Sequence, residues 1–174
     1  VTTMDYDRMG RLVTRTDHDG VVTTWNYNDD LLSGQSPIQM SIGKLDSVVM
    51  SSAGTESYRK TTLYDVTGIG LPRESQVLLP SQESYVTKTS YDRFNRPEVI
   101  TYPETGVEPA FKVMYVYKAG IIDEVKSGDG STSFWKVDSL DAHSRVLISS
   151  LGNGVFDWNT YDEAGRNSSL SIND

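Results

Sequence analysis

Apolar and polar positions alternate along most of this chain in short runs, the two-residue period of half-buried β-strands. From Val21 to Tyr27, Val21, Thr23, Trp25 and Tyr27 share one face, and Val22, Thr24 and Asn26 the other. Near the end, Val155, Asp157, Asn159 and Tyr161 face one way and Phe156, Trp158 and Thr160 the other. No segment sustains a helical period with capping residues. The alternation predicts strands over 11–16, 21–27, 41–50, 55–64, 69–79, 84–91, 96–102, 110–117, 121–126, 131–140, 145–151 and 155–161. Residues 167–172 continue as a further strand. Turn signals separate them: Asp19-Gly20 is a strong hairpin pair, Gly152-Asn153-Gly154 another strong turn, and Ser51-Ser52-Ala53-Gly54, Pro80-Ser81-Gln82, Pro103-Glu104-Thr105-Gly106 and Ser127-Gly128-Asp129-Gly130 turn the chain as well. Residues 28–40 break the rhythm and read as a loop around Ser33-Gly34-Gln35-Ser36-Pro37. Pro72 has no amide hydrogen to give to a ladder, so it belongs at an edge or a bulge.

The strands are punctuated by a recurring hexapeptide. Tyr6-Asp7-Arg8-Met9-Gly10-Arg11, Tyr91-Asp92-Arg93-Phe94-Asn95-Arg96 and Tyr161-Asp162-Glu163-Ala164-Gly165-Arg166 are intact copies. Leu140-Asp141-Ala142-His143-Ser144-Arg145 keeps the Asp and Arg. Tyr64-Asp65-Val66-Thr67-Gly68 lacks the Arg, and Lys118-Ala119-Gly120 stands where another copy belongs. The residue types have a local logic. Asp at the first turn position accepts from a backbone N–H two residues on. Gly or Asn three residues later supplies a positive φ. The Tyr suits a strand, and the Arg stem can cross a neighbouring ring. Arg11, Arg96 and Arg166 are therefore expected beside an aromatic ring or a turn carboxylate, of their own repeat or the next. The expected fold is all-β: one extended antiparallel sheet of hairpins over residues 1–174, curved and twisted.

Composition narrows the function classes. The chain of 174 residues carries 24 acidic and 16 basic side chains, a formal charge of −8. That argues against nucleic acid and anionic membrane surfaces as partners. With no cysteine there is no disulfide framework, thiolate metal cluster or thiol nucleophile. No apolar run is long enough to span a bilayer as a helix. Val1-Thr2-Thr3-Met4 has neither a basic start nor an apolar stretch, so no signal peptide is read there, and the chain reads as a piece of a longer one.

Candidate chemistry is sparse. Asp17-His18-Asp19 lacks the rest of a calcium-loop pattern and reads as a hairpin turn. His143 lies in a motif turn with no nucleophile elbow, phosphate loop or zinc-helix motif anywhere in the chain. Glu104 with Glu108 is a carboxylate pair of the kind chance supplies. Trp25, Trp135, Trp158 and the tyrosines suit either cross-strand packing or apolar sugar faces, and their phase with the hairpins favours packing. No catalytic residue, metal ligand or cofactor site is assigned.

Tyr-Asp-x-x-Gly-Arg repeated in phase resembles the YD-repeat (Rhs-repeat) family, which includes bacterial Rhs proteins, the B and C components of insecticidal toxin complexes, and animal teneurins. The resemblance covers essentially the whole chain. Arg96-Pro97-Glu98-Val99-Ile100-Thr101-Tyr102-Pro103 and Leu151-Gly152-Asn153-Gly154-Val155 are similar to the toxin-complex branch. It implies a β-sheet spiralling into a hollow shell that holds a toxic C-terminal polypeptide, in a secreted or surface-delivered bacterial protein. The partners it implies are neighbouring repeats, the enclosed toxin and other toxin-complex subunits. The family's Asp-Pro-x-Gly-Leu self-cleaving signature has no match, so no protease residues carry over. A carbohydrate- or cell-surface-binding module, adhesin- or teneurin-like, is the alternative.

Overall fold

The computed structural model describes residues 1–28, 42–65, 69–104, 106 and 109–173. The described residues form fourteen strands and no helix. They fall into two compact units, Val1–Thr89 with Tyr102–Val107, and Ser90–Thr101 with Glu108–Asp174.

The first unit holds β1 (Thr3–Tyr6), β2 (Leu12–Thr16), β3 (Val22–Tyr27), β4 (Leu45–Ser52), β5 (Thr55–Tyr64), β6 (Pro72–Leu78) and most of β7 (Ser84–Tyr91). Each pairs antiparallel with the next in chain order. The second holds β8 (Pro97–Thr101), β9 (Lys112–Lys118), β10 (Ile121–Ser127), β11 (Ser133–Leu140), β12 (Val146–Leu151), β13 (Phe156–Tyr161) and β14 (Asn167–Asn173). It is a chain-order antiparallel meander as well. Ala53-Gly54 and Ala119-Gly120 both take positive φ in two-residue turns, with Ser52 opposite Thr55 and Lys118 opposite Ile121. Such turns match the twist of the strands they join.

Few side chains are fully buried. Tyr64, Val113 and Val137 are the buried apolar ones, and Ser47 and Ser149 the buried polar ones. Half-buried rows of β-branched and aromatic residues lie between them, so cross-strand pairs carry most of the stabilisation.

Four strands start two or more residues later than the alternation predicts: β4 at Leu45, β6 at Pro72, β9 at Lys112 and β11 at Ser133. For β4 and β6 the reason is the turn before them. Asn28 N–H donates to the Lys44 carbonyl at 2.9 Å and Gly43 N–H to the Asn28 carbonyl at 2.7 Å. The intact motif closes in the same way, Asp7 N–H to Arg11 O at 2.9 Å and Gly10 N–H to Asp7 O at 3.0 Å. Tyr27-Asn28 and Gly43-Lys44 are therefore the two halves of one motif turn, with residues 29–42 inserted between them. The loop expected over 28–40 lies outside the described residues, Asn28 excepted. Likewise Asp65 N–H donates to Leu71 O at 2.7 Å, and the glycine preceding the acceptor is Gly70, at φ 66°. Gly68, the glycine the motif spacing selects, lies outside the described residues. Pro72 sits at the start of β6 opposite Tyr64, at a register shift, as a residue without an amide hydrogen should.

A consequence is testable. Replacing residues 29–42 with two turn residues joins Asn28 to Gly43 at the motif's own spacing. The variant is expected to fold and to gain about 1–2 kcal/mol from the shorter loop closure. Urea unfolding followed by circular dichroism measures it; a variant that fails to fold refutes the split-turn reading.

Candidate functional site: a repeated turn and brace

The motif residues converge on one constellation that recurs along the chain. In each complete copy the Asp carboxylate is the hub. Asp7 Oδ1 accepts from Met9 N–H at 2.8 Å and Arg11 N–H at 2.9 Å, and Oδ2 accepts from Arg11 Nε at 2.6 Å. Asp92 does the same with Phe94 N–H at 2.8 Å, Arg96 N–H at 3.0 Å and Arg96 Nε at 2.8 Å. Asp141 repeats it with His143 and Arg145, and Asp162 takes the Arg166 N–H and Nε at 2.9 and 2.8 Å. The fourth turn residue, Gly10, Asn95, Ser144 or Gly165, has φ between 61° and 79°.

The cation then reaches the tyrosine that opens the following turn. The Arg11 guanidinium lies 4.3 Å from the Tyr27 ring centre, Arg96 4.0 Å from Tyr117, and Arg145 4.5 Å from Tyr161. Lys44 takes the same place in the split turn, 5.1 Å from the Tyr64 ring. Each tyrosine hydroxyl donates to the carbonyl just after that cation: Tyr27 to Leu12 at 3.1 Å, Tyr64 to Leu45 at 2.8 Å, Tyr117 to Pro97 at 2.8 Å and Tyr161 to Val146 at 2.9 Å. Ring and hydroxyl thus clamp one turn to the next. Arg11 also bonds the Gly43 carbonyl at 3.2 Å, and Lys44 the Ile69 and Gly70 carbonyls at 3.0 and 2.5 Å, so in both cases the cation touches the next turn as well as its tyrosine.

A backbone device aims the tyrosine. Opposite Tyr6, Tyr27, Tyr64, Tyr117, Leu140 and Tyr161 the register shifts by one residue, skipping Val13, Asp46, Arg73, Asp123, Leu147 and Ser168. Such bulges bend a strand and re-aim its side chains. The bulge escaped sequence reasoning, whereas a ring of the same or the next repeat was expected beside the motif arginines and is found beside Arg11 and Arg96. Alternation cannot register a single inserted strand residue, and the separation of each cation from the following tyrosine differs between copies, Arg11 to Tyr27 being shorter than Arg96 to Tyr117.

Tyr6 and Arg166 stand apart from the braces described above. Tyr6 is exposed, its hydroxyl meeting only the Met4 sulfur at 3.5 Å. Tyr91 is half-buried, and Asp65 closes its turn through its backbone. Arg166 pairs with Asp162 but stays 80% exposed.

The electrostatics follow the hydrogen bonds. The Asp7, Asp141 and Asp162 carboxyls are held below their ordinary 3.8, first by the backbone N–H of the motif Arg and then by its guanidinium, against some desolvation. For Asp92 desolvation is the largest influence and acts upward, but the Arg96 side chain and backbone together outweigh it. In the turn at Ser127–Ser131, the Ser127 hydroxyl and the Ser131 N–H and hydroxyl lower Asp129 to about 2. A depressed carboxylate stabilises the folded state fully above its unfolded value and loses that contribution as pH falls through the folded one. The urea midpoint is therefore expected to be level down to about pH 5 and to fall steadily between about pH 4 and pH 2. A midpoint unchanged at the acid end would remove these turns as the source of stability.

The other candidates resolve into ordinary structure. Asp17 accepts from Arg15 Nε at 2.9 Å and Asp19 from Val21 N–H at 3.2 Å, as turn residues do. Glu108 lies outside the described residues, which leaves Glu104 without the test of a pair. Trp25 and Trp135 are half-buried and Trp158 is 44% exposed. Among the described residues no group of three or more His, Asp or Glu stands close enough to hold a metal ion, and no helix is long and apolar enough to cross a membrane.

No family model and no curated protein matches the sequence. Solved structures do match the fold. The chain aligns over 98% of its length with the Photorhabdus luminescens Tc holotoxin pore bearing a TccC3 mutation, at 16% identity and a TM-score of 0.54. It aligns over 98% with TcdB2–TccC3 lacking the hypervariable C-terminal region, at 16% identity and 0.58. Complete TcdB2–TccC3 gives 99%, 15% and 0.58. In each case this chain spans 10% of the length of the other. The fold is that of a stretch of these toxin-complex proteins.

Proposed function

We propose that residues 1–174 are a non-catalytic wall segment of a YD-repeat shell, which encloses a C-terminal toxin polypeptide for delivery by a secreted or surface-delivered bacterial protein. The observation that carries the proposal is the brace. One Asp–Arg turn and one tyrosine clamp recur along the chain, so the motif residues Tyr, Asp, Gly and Arg serve to lock each hairpin to the next. A repeat unit built that way extends a sheet and leaves no separate active domain. The fold likeness to TcdB2–TccC3 supports the reading, and TcdB2–TccC3 structures exist with and without a hypervariable C-terminal region. A sheet that closes on itself removes lateral edges and surrounds a volume. The residues take part through the wall alone; cargo and other toxin-complex subunits are the partners this reading implies, with no cofactor.

The test is made on the parent protein. Electron microscopy with limited proteolysis is expected to find a hollow particle whose C-terminal segment resists digestion. An open particle with a freely digested C-terminus refutes enclosure. Saturable binding of the 1–174 fragment on a glycan panel would favour the carbohydrate-binding alternative instead.

A further inference from the structure

We propose that the edge of β14, with Arg166 at its head, is a docking site for β1 of a second copy of this chain, which brings the tyrosine that completes a brace on Arg166. This goes beyond the wall reading and does not depend on it. β14 pairs with β13 and β1 with β2, so each has one edge that no described strand covers. An uncovered edge is a template for a further strand. Here the braces specify which strand it takes.

The two edges carry complementary half-braces. Arg166 is held by Asp162 at 2.8 Å and is 80% exposed, and among the described residues no aromatic ring lies against it. Tyr6 is 58% exposed, and among the described residues no cation lies over its ring. The turn glycines give an independent observation. In a complete brace the cation also approaches the glycine of the turn that follows the tyrosine. A methyl added at Gly43 would lie 3.9 Å from Arg11 Nη1, and one at Gly165 3.0 Å from Arg145 Nη1. At Gly10 it would meet nothing within 4 Å. Tyr6 and Gly10 thus present one open face to a cation, and Arg166 is a cation with neither tyrosine nor turn against it.

The register agrees. In each described brace the ladder between the two strands begins three residues after the cation and three before the tyrosine: Thr14 opposite Thr24, Ser47 opposite Thr61, Val99 opposite Met114 and Ile148 opposite Trp158. The same spacing from Arg166 and from Tyr6 of a second copy sets Ser169 opposite Thr3, Leu170 opposite Thr2 and Ser171 opposite Val1. That makes three pairs, as many as follow Arg11, Arg96 and Arg145. Asn167 stands opposite Tyr161 as Leu12 stands opposite Tyr6, so its carbonyl is placed to accept from the incoming Tyr6 hydroxyl as Leu12 accepts from Tyr27. One copy gives β14 and the other β1. The contact is therefore head-to-tail and leaves the same two edges open at the ends of the assembly.

The test is light scattering and sedimentation of the 1–174 chain. Its mean mass is expected to rise with concentration without levelling at a dimer, with a dissociation constant of about a millimolar or tighter. Arg166→Gln and Tyr6→Ala are each expected to weaken association about tenfold or more. Tyr6→Phe, which removes only the hydroxyl, is expected to weaken it about threefold. Arg166→Lys is expected to keep it, since Lys44 serves as the cation beside Tyr64. Equal parts of the Arg166→Gln and Tyr6→Ala variants are expected to form a dimer that grows no further, one copy giving an intact β1 and the other an intact β14. Circular dichroism checks that each variant folds. A mean mass that stays at one chain up to about a millimolar, a closed dimer of the unaltered chain, association undiminished in a folded Arg166→Gln, Tyr6→Ala or Tyr6→Phe variant, or a mixture that gives no dimer each overturns the proposal.

Discussion

Tyr64→Ala is expected to cost about 3 kcal/mol, near the lower end for removing a buried aromatic side chain. Tyr64 is the most enclosed tyrosine, 9% exposed. Its ring lies under the Lys44 ammonium and its hydroxyl donates to the Leu45 carbonyl at 2.8 Å. Burial, and then the charge of Asp46, raises its phenol above the ordinary 10.0. Truncation removes packing, ring contact and hydrogen bond together. Tyr64→Phe separates them, and is expected to cost about 1 kcal/mol because only the bond to Leu45 is lost. The control is Tyr6→Ala, at an exposed ring with no turn clamped beneath it, where about 0.5 kcal/mol or less is expected. Urea unfolding of the three variants decides. If Tyr64→Ala costs no more than Tyr6→Ala, the braces do not hold the hairpins together.

The contrast between these tyrosines marks how far the sequence could be read. The hairpins were legible because their determinants are local. Asp92 and Asn95 specify a turn within four residues, and Val155 to Tyr161 declares its two faces by alternation. Arg11, Arg96 and Arg166 were expected beside an aromatic ring or a turn carboxylate of their own repeat or the next; Arg11 and Arg96 stand beside both, with Tyr27 and Tyr117 of the following repeat and, for Arg96, Phe94 of its own turn, while Arg166 pairs with the Asp162 carboxylate. What stayed hidden is set by hydrogen bonds between residues whose spacing is free to vary. Asn28 closes on Gly43 and Lys44 as Asp7 closes on Gly10 and Arg11, yet the insertion hides the match, and Lys44 has no arginine signature to announce it. Asp65 closes on Leu71 beside Gly70, two residues past the glycine that regular spacing selects. Gln82 in a left-handed conformation contradicts residue preference outright, so only coordinates reveal it. The bulges opposite the motif tyrosines are likewise a property of the pair of strands and of neither strand alone.

Gly152→Ala is expected to be the most damaging of the turn-glycine substitutions, at about 2–3 kcal/mol by overpacking. The usual argument for a turn glycine is its positive φ, and that argument belongs to Gly154, at 88°, where an added methyl would meet nothing within 4 Å. Gly152 is different. It follows the last ladder pair of β11 and β12, Trp135 opposite Leu151, and its N–H donates to the Phe134 carbonyl at 3.0 Å. A methyl there would come within 2.3 Å of the Ser133 carbonyl oxygen, a backbone atom that moves only if the strand moves. Gly128 repeats the arrangement one hairpin earlier, donating to Lys112 O at 2.9 Å, with its methyl 2.2 Å from the Lys112 Cβ. Both turns settle onto the start of the preceding strand and extend its ladder by one bond. Gly154→Ala, which suffers only the left-handed backbone, is expected to cost about 1 kcal/mol. Thermal and urea unfolding of Gly128→Ala, Gly152→Ala and Gly154→Ala in parallel measures the ranking. Equal losses at Gly152 and Gly154 would mean that turn conformation, and not close approach of the turn to the neighbouring strand, selects glycine at these positions.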